Sequence, residues 1–370
     1  MKFYNCDIYR LKELAVKKKL ICFGAGRVLK NFIDDYSNIH FEKYIYCIAD
    51  NNQENIGNKL KIVNAEIPLI SVEQLLKIEN FVLLITCNDI CGVYDQLNSY
   101  DKLNDTWCLA TTFIRSETSA KEEEGIEYPQ NYRITDKPMI PKKIHYCWFG
   151  KKEIPEQNRI WMESWKKYCP DYEIVKWDES NYDITKNEYM YEAYKAGKWG
   201  FVSDYAELDI VYNYGGIYLD TDVELLKNLD ELLYQQAFAG VDSTTWLINL
   251  GVGFGAQKQT NIMKELRDLY LNRKFQNKDG SYNQVAAPEL QQDYFNSKGY
   301  IYNGQYQIIE GMTVYPAKVL SPKCYLTGKI MPTEHTFAIH HYDGSWADDA
   351  VRAQNMRRLK LFKEKVKNLD

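Results

Sequence analysis

The chain has 370 residues, enough for two domains rather than one. With 45% hydrophobic and 26% charged residues it carries ample apolar material for two globular cores. Its net charge of −5 excludes nucleic acid as the main partner, because phosphate backbones select a basic excess.

The first elements alternate. Lys19-Leu20-Ile21-Cys22-Phe23 reads as a buried strand, then Gly24-Ala25-Gly26, then a helix to about Tyr36. Tyr44 to Ala49 is a second strand, ending at Asp50. Ser71 is a good N-cap for a helix to Ile78, and Phe81 to Thr86 is a third buried strand. Continuous apolar strands between helices predict a Rossmann-like, doubly wound parallel sheet over residues 1–112. Lys121-Glu122-Glu123-Glu124 and the prolines at 129 and 138 read as a linker over 113–137.

A second α/β series fills 138–370. Ile144 to Phe149 is a strand. Ile160, Trp161, Ser164, Trp165 and Tyr168 share one helix face, and the spacing predicts that Trp161 and Trp165 are core. Tyr172 to Trp177 is a strand. Lys198 to Tyr214 is a helix with Phe201, Tyr205, Leu208 and Tyr212 on its buried side, stopped by Gly215-Gly216. Ile217 to Leu225 follows as one alternating strand.

The chemistry concentrates in that last stretch. In an extended segment Asp220 and Asp222 share a face, and two converging carboxylates repel unless a cation lies between them. Hard ions such as Mn²⁺ or Mg²⁺ take oxygen ligands and complete their shell with phosphate oxygens. Such an ion neutralises a diphosphate leaving group. Asp204 and Glu207, three apart on the preceding helix, can look into the same cleft.

Ser203-Asp204-Tyr205, Gly215-Gly216-Ile217-Tyr218-Leu219-Asp220-Thr221-Asp222 and the opening Ile140-Pro141-Lys142-Lys143-Ile144-His145-Tyr146-Cys147-Trp148-Phe149-Gly150 closely resemble the DXD-motif sugar transferases of glycosyltransferase family 32. The catalytic domains of the large clostridial glucosylating toxins look like distant relatives. The resemblance spans roughly residues 138 to 350. It implies a GT-A fold for the second domain, a nucleotide-sugar donor (a UDP-sugar), a divalent metal and retention of anomeric configuration. It also implies that Trp148 stacks on the base, that Asp204 meets the donor sugar, that Asp220 touches ribose and sugar, and that Asp222 binds the metal. Asn249 stands where a polar donor contact is common. In His340-His341-Tyr342-Asp343-Gly344-Ser345-Trp346, Ser345 and Trp346 would meet the diphosphate, and one histidine would be the third protein ligand. The resemblance of His-aromatic-x-Gly to other retaining GT-A enzymes selects His341. Position 207 is commonly Arg in this family and is Glu here, which leaves the donor sugar unassigned.

The acceptor implied is a glycan or lipid-linked glycan in capsular, exo- or surface polysaccharide synthesis, with peripheral membrane association. No apolar run approaches the ~18 residues of a membrane span. Nine cysteines without CxxC pairs, Cys87 and Cys91 included, read as reduced thiols of a cytoplasmic protein. Two alternatives differ in class. Gly24-Ala25-Gly26 with Asp50 suggests an NAD-dependent oxidoreductase, although Leu29 stands where a third glycine belongs. The Glu at 207 suggests a catalytically impaired sugar-nucleotide-binding scaffold.

Overall fold

The structure is a computed structural model that describes residues 1–344, 347 and 349–369. The chain forms two compact units, residues 1–124 with 326–328 and 349–370, and residues 125–325 with 329–348.

The first unit is built on an eight-stranded sheet. Its order is Lys367–Asn368, Lys2–Asn5, Trp107–Ala110, Phe81–Ile85, Lys19–Phe23, Ile45–Ala49, Ala65–Ile70, Lys59–Ile62. All neighbours are parallel except the final hairpin pair. Strands on either side of Lys19–Phe23 are reached by opposite windings, which is the switch point of a doubly wound sheet. The three apolar strands expected from sequence are the central three, because only strands covered on both faces read as continuous apolar runs. Ser71 caps its helix with a reciprocal bond to Gln74.

Two boundaries differ from the sequence reading. Residues 113–137 are not a linker throughout, since Thr111–Glu122 is a helix that buries Phe113 and Ile114 in the first unit. Nor does the second domain run to the C-terminus. The helix Asp349–Lys365 and the strand Lys367–Asn368 return to the first unit, where Phe362 packs on Phe113 at 4.9 Å and Arg357 pairs with Asp95.

The second unit carries a mixed seven-stranded sheet ordered Gln307–Ile309, Met312–Tyr315, Ala237–Val241, Ile248–Ala256, Gly216–Tyr218, Lys143–Cys147, Glu173–Trp177. Across it packs the helix Trp199–Tyr214, buried nearly all round rather than on one stripe. Phe201, Tyr205 and Leu208 lie in the core as expected, and so does Asp209, held by Lys186, Arg267 and the Tyr182 hydroxyl. The stretch 217–225 is two strands, not one. Gly216–Tyr218 stays in the large sheet, the chain turns, and Val223–Leu225 pairs antiparallel with Ala338–His340 in a separate ribbon.

Candidate active site

The turn between those strands builds the site. The Val223 amide donates to the Asp220 carbonyl at 3.0 Å, so Asp220, Thr221 and Asp222 occupy a tight turn. The two carboxylates therefore converge by turn geometry and not by strand alternation. The helix Glu156–Tyr168 pins the turn from behind. Asn158 donates to the Thr221 hydroxyl at 3.1 Å, the Trp165 indole to the Val223 carbonyl at 2.8 Å, and the Leu225 amide to Ser164 at 2.8 Å. Trp165 is core, as expected.

The third member of the cluster is His340. In the ribbon it sits opposite Val223, and its Nε2 lies 3.2 Å from Asp222 and 3.8 Å from Asp220. Ligand atoms of Asp220, Asp222 and His340 all fall within 4.8 Å of one another. This corrects the choice of His341. Neighbouring residues leave a strand on opposite sides, and His341 instead pairs with Glu224 at 2.8 Å and stacks on Trp161 at 4.1 Å with the ring planes nearly parallel. Trp161 is therefore a half-buried ring beside the site rather than core.

The electrostatics are those of a cation site holding a proton. Burial disfavours the Asp222 charge, but the His340 imidazolium and the Asp343 amide outweigh it and hold the carboxyl at about 2. Burial likewise opposes the His340 charge, and the two aspartates overcome it, pushing the ring up to about 9. Asp220 is raised by burial and by Asp222, against its bond to His340. A divalent ion suits this set: two carboxylates and one imidazole converge, and the imidazole carries a proton that it can release.

A second acidic group lies behind. Burial and Asp220 push Asp204 up to about 8, and burial, Asp220 and Asp204 raise Glu207 well above the carboxylate range. Tyr218 connects the two groups through its hydroxyl, 3.3 Å from Asp220. Asn249 reaches the same place from the antiparallel strand. A Cβ on Gly251 would stand 2.8 Å from the Asp220 carboxylate and 3.2 Å from the Asn249 amide oxygen, so a larger residue there would displace the Asp220 carboxylate. Gly251 had no distinguishing mark in the sequence, because the crowding comes from a neighbouring strand.

Trp148 leaves the sheet at the same edge as Asp220. Their strands are parallel, and the Leu219 amide donates to the His145 carbonyl. The half-buried Trp148 donates its indole N–H to the Lys152 carbonyl and lines a cavity of about 300 Å³ with Lys151, Lys152, Lys176, Asp178, Glu179 and Ser180. Ser345 and Trp346 lie outside the described residues. In the first unit the fingerprint-like loop bonds to residues that follow the two neighbouring strands. The Ala25 amide donates to Asp50 at 2.9 Å, and Thr86 donates to the Phe23 and Gly24 carbonyls. The N–H that would meet a phosphate and the acid that would meet a ribose hold each other.

Parts of the chain are similar to known proteins. Residues 155–239, which include Asp220 and Asp222, match the family described as glycosyltransferase sugar-binding region containing DXD motif. Inositol phosphoceramide mannosyltransferase 3 of Schizosaccharomyces pombe is 34% identical over 165 residues, 42% of this chain and 44% of that one. A mannosyl phosphorylinositol ceramide synthase of Saccharomyces cerevisiae is 34% identical over 138 residues, 35% of each chain. This chain thus spans less than half the length of these relatives. Among solved structures, a glycosyltransferase involved in glycosylation of the major capsid of PBCV-1 is similar with a TM-score of 0.33 at 13% identity, over 58% of this chain and 98% of that one.

Proposed function

We propose that this protein is a metal-dependent, retaining glycosyltransferase that moves a sugar from a nucleotide diphosphate donor, a UDP-sugar, to a glycan or lipid-linked glycan. The convergence of Asp220, Asp222 and His340 inside and beside a DXD sugar-binding region carries this reading. Those three residues would hold Mn²⁺ or Mg²⁺, which when bound supplies positive charge to the departing diphosphate. Asp204, Glu207 and Asn249 face the same place and offer hydrogen bonds to hydroxyls of the donor. With Asp204 and Glu207 raised, both carboxyls can donate as well as accept near neutral pH. The transfer breaks the bond from the anomeric carbon to the diphosphate oxygen and makes one to an acceptor hydroxyl, whose proton leaves.

The lipid acceptors named for the yeast relatives favour a lipid-linked acceptor here. We place the reaction in the cytoplasm at the inner face of a membrane, as a step of surface polysaccharide synthesis. None of the nine cysteines, all of them described, is in a disulfide, and eight are buried, in keeping with a reducing compartment. No described helix is long and apolar enough to cross a membrane. The bond between Ala25 and Asp50 weighs against the oxidoreductase alternative.

The test is hydrolysis across a panel of UDP- and GDP-sugars with Mn²⁺ or chelator, comparing wild type with Asp222→Ala. Metal-dependent turnover of one donor, lost by at least about 100-fold in the variant, establishes the reading. Nucleotide binding without turnover of any donor sinks it in favour of the scaffold that Glu207 suggests.

A further inference from the structure

The Glu at position 207 leaves a charge unaccounted for. A divalent ion and the carboxylates of Asp220 and Asp222 cancel, so the ion site as a whole brings no net positive charge to a diphosphate. Glu207 stands where an arginine could have supplied that charge, and with its carboxyl raised by burial, Asp220 and Asp204 it supplies none. The diphosphate also gains negative charge as its bond to the sugar breaks. A cation from elsewhere in the fold is required.

Lys323 reaches the site from the segment that follows the helix Ala317–Leu320. Its ammonium donates to the carbonyl of His341, and the His341 amide in turn donates to the carbonyl of Asp222 at 2.9 Å. Burial lowers the Lys323 ammonium from its usual range, and Asp222 and Asp343 offset this only in part. The side chain is half-buried, and its backbone is fixed by a bridge to Ile330 and by Ser243, which donates to its carbonyl. A lysine led into a partly desolvated corner, with one carbonyl satisfied and further N–H groups available, is placed for an anion. Arg273 acts on Tyr189, on the Asp204 side. Lys151, Lys152 and Lys176 line the Trp148 cavity instead.

We propose that Lys323 binds the diphosphate of the nucleotide donor, supplying from another part of the fold the positive charge that Glu207 does not. This rests on the sugar-nucleotide reading above. Lys323 meets the leaving group next to the ion, so its loss weakens binding of a nucleoside diphosphate while sparing a nucleoside.

The experiment is calorimetric titration of the full chain with UDP and GDP, each with Mn²⁺, and with the matching nucleosides, alongside thermal melts. Lys323→Gln keeps a donor for the His341 carbonyl but removes the charge, and Lys323→Arg keeps the charge. Lys323→Gln is expected to lose about 10- to 100-fold in diphosphate affinity at an unchanged melting temperature, with Lys323→Arg recovering most of it. Equal diphosphate affinity in Lys323→Gln and wild type overturns the proposal and leaves the transferase reading standing. A fall in melting temperature for both variants, with affinity unchanged in whatever folds, assigns Lys323 a structural role and also overturns it. Wild type that binds neither nucleotide overturns the transferase reading itself, and Lys323's role with it.

Discussion

At the scale of single residues, the site is decided by which histidine faces the aspartates. His340 and His341 are adjacent and chemically identical, yet one lies 3.2 Å from Asp222 and the other 2.8 Å from Glu224. His340→Ala is expected to weaken Mn²⁺ binding by about 10- to 100-fold, the range for losing one direct ligand or its equivalent, while His341→Ala changes it by less than about threefold. Metal titration of both variants separates them, and the reverse ranking would sink the assignment. The same histidine sets a pH dependence. Its proton must leave for an ion to bind, so Mn²⁺ affinity should rise about tenfold per pH unit until the ring's value of about 9 is passed. Without metal the sign is opposite. The imidazolium is raised from 6.5 to about 9 by its aspartate partners, so its contribution to stability is complete below 6.5 and disappears as pH rises through 9. Thermal melts in chelator should therefore fall over that window, and melts with Mn²⁺ should not.

At the scale of elements, the helix Glu156–Tyr168 matters because it supplies the turn with hydrogen bonds that the sheet no longer provides. Leaving one sheet for another strands backbone groups, and Trp165 and Ser164 take up the Val223 carbonyl and the Leu225 amide. Trp165→Phe keeps most of the packing and orphans that carbonyl. It should cost about 1–3 kcal/mol in urea unfolding and weaken Mn²⁺ binding, since Asp222 adjoins the released strand. Unchanged metal affinity would show that the turn holds its shape without the helix. The helix's apolar spacing was legible in the sequence. Its side-chain donors were not, because a tryptophan that packs and a tryptophan that also donates have the same periodicity.

At the scale of the whole molecule, the last residues belong to the first unit. Asp349–Lys365 covers the helix Ile90–Asn98, and Lys367–Asn368 extends the parallel sheet beside Lys2–Asn5. Removing residues 349–370 should lower the melting temperature of the first unit by roughly 5 °C or more, while leaving Mn²⁺ binding by the second within about twofold. Scanning calorimetry with and without Mn²⁺ reads both. Loss of the metal-stabilised transition in the truncated chain would show that the site depends on this return.

The sequence by itself determined the central strands, Asp220 and Asp222 as a closely spaced carboxylate pair, though in a strand rather than a turn, and Asp204 on the helix before it. These are local signals: apolar runs, stop glycines and carboxylates at short spacing write their own geometry. Everything that depended on a partner strand escaped it. The break at the aspartates, the choice of His340, the crowding at Gly251, the placing of Trp161 on His341, the approach of Lys323 and the return of the C-terminus to the first unit were all decided by the tertiary structure. In each case the deciding neighbour lies far along the chain, as Val223 lies from His340, and residue spacing records nothing about which strands will meet.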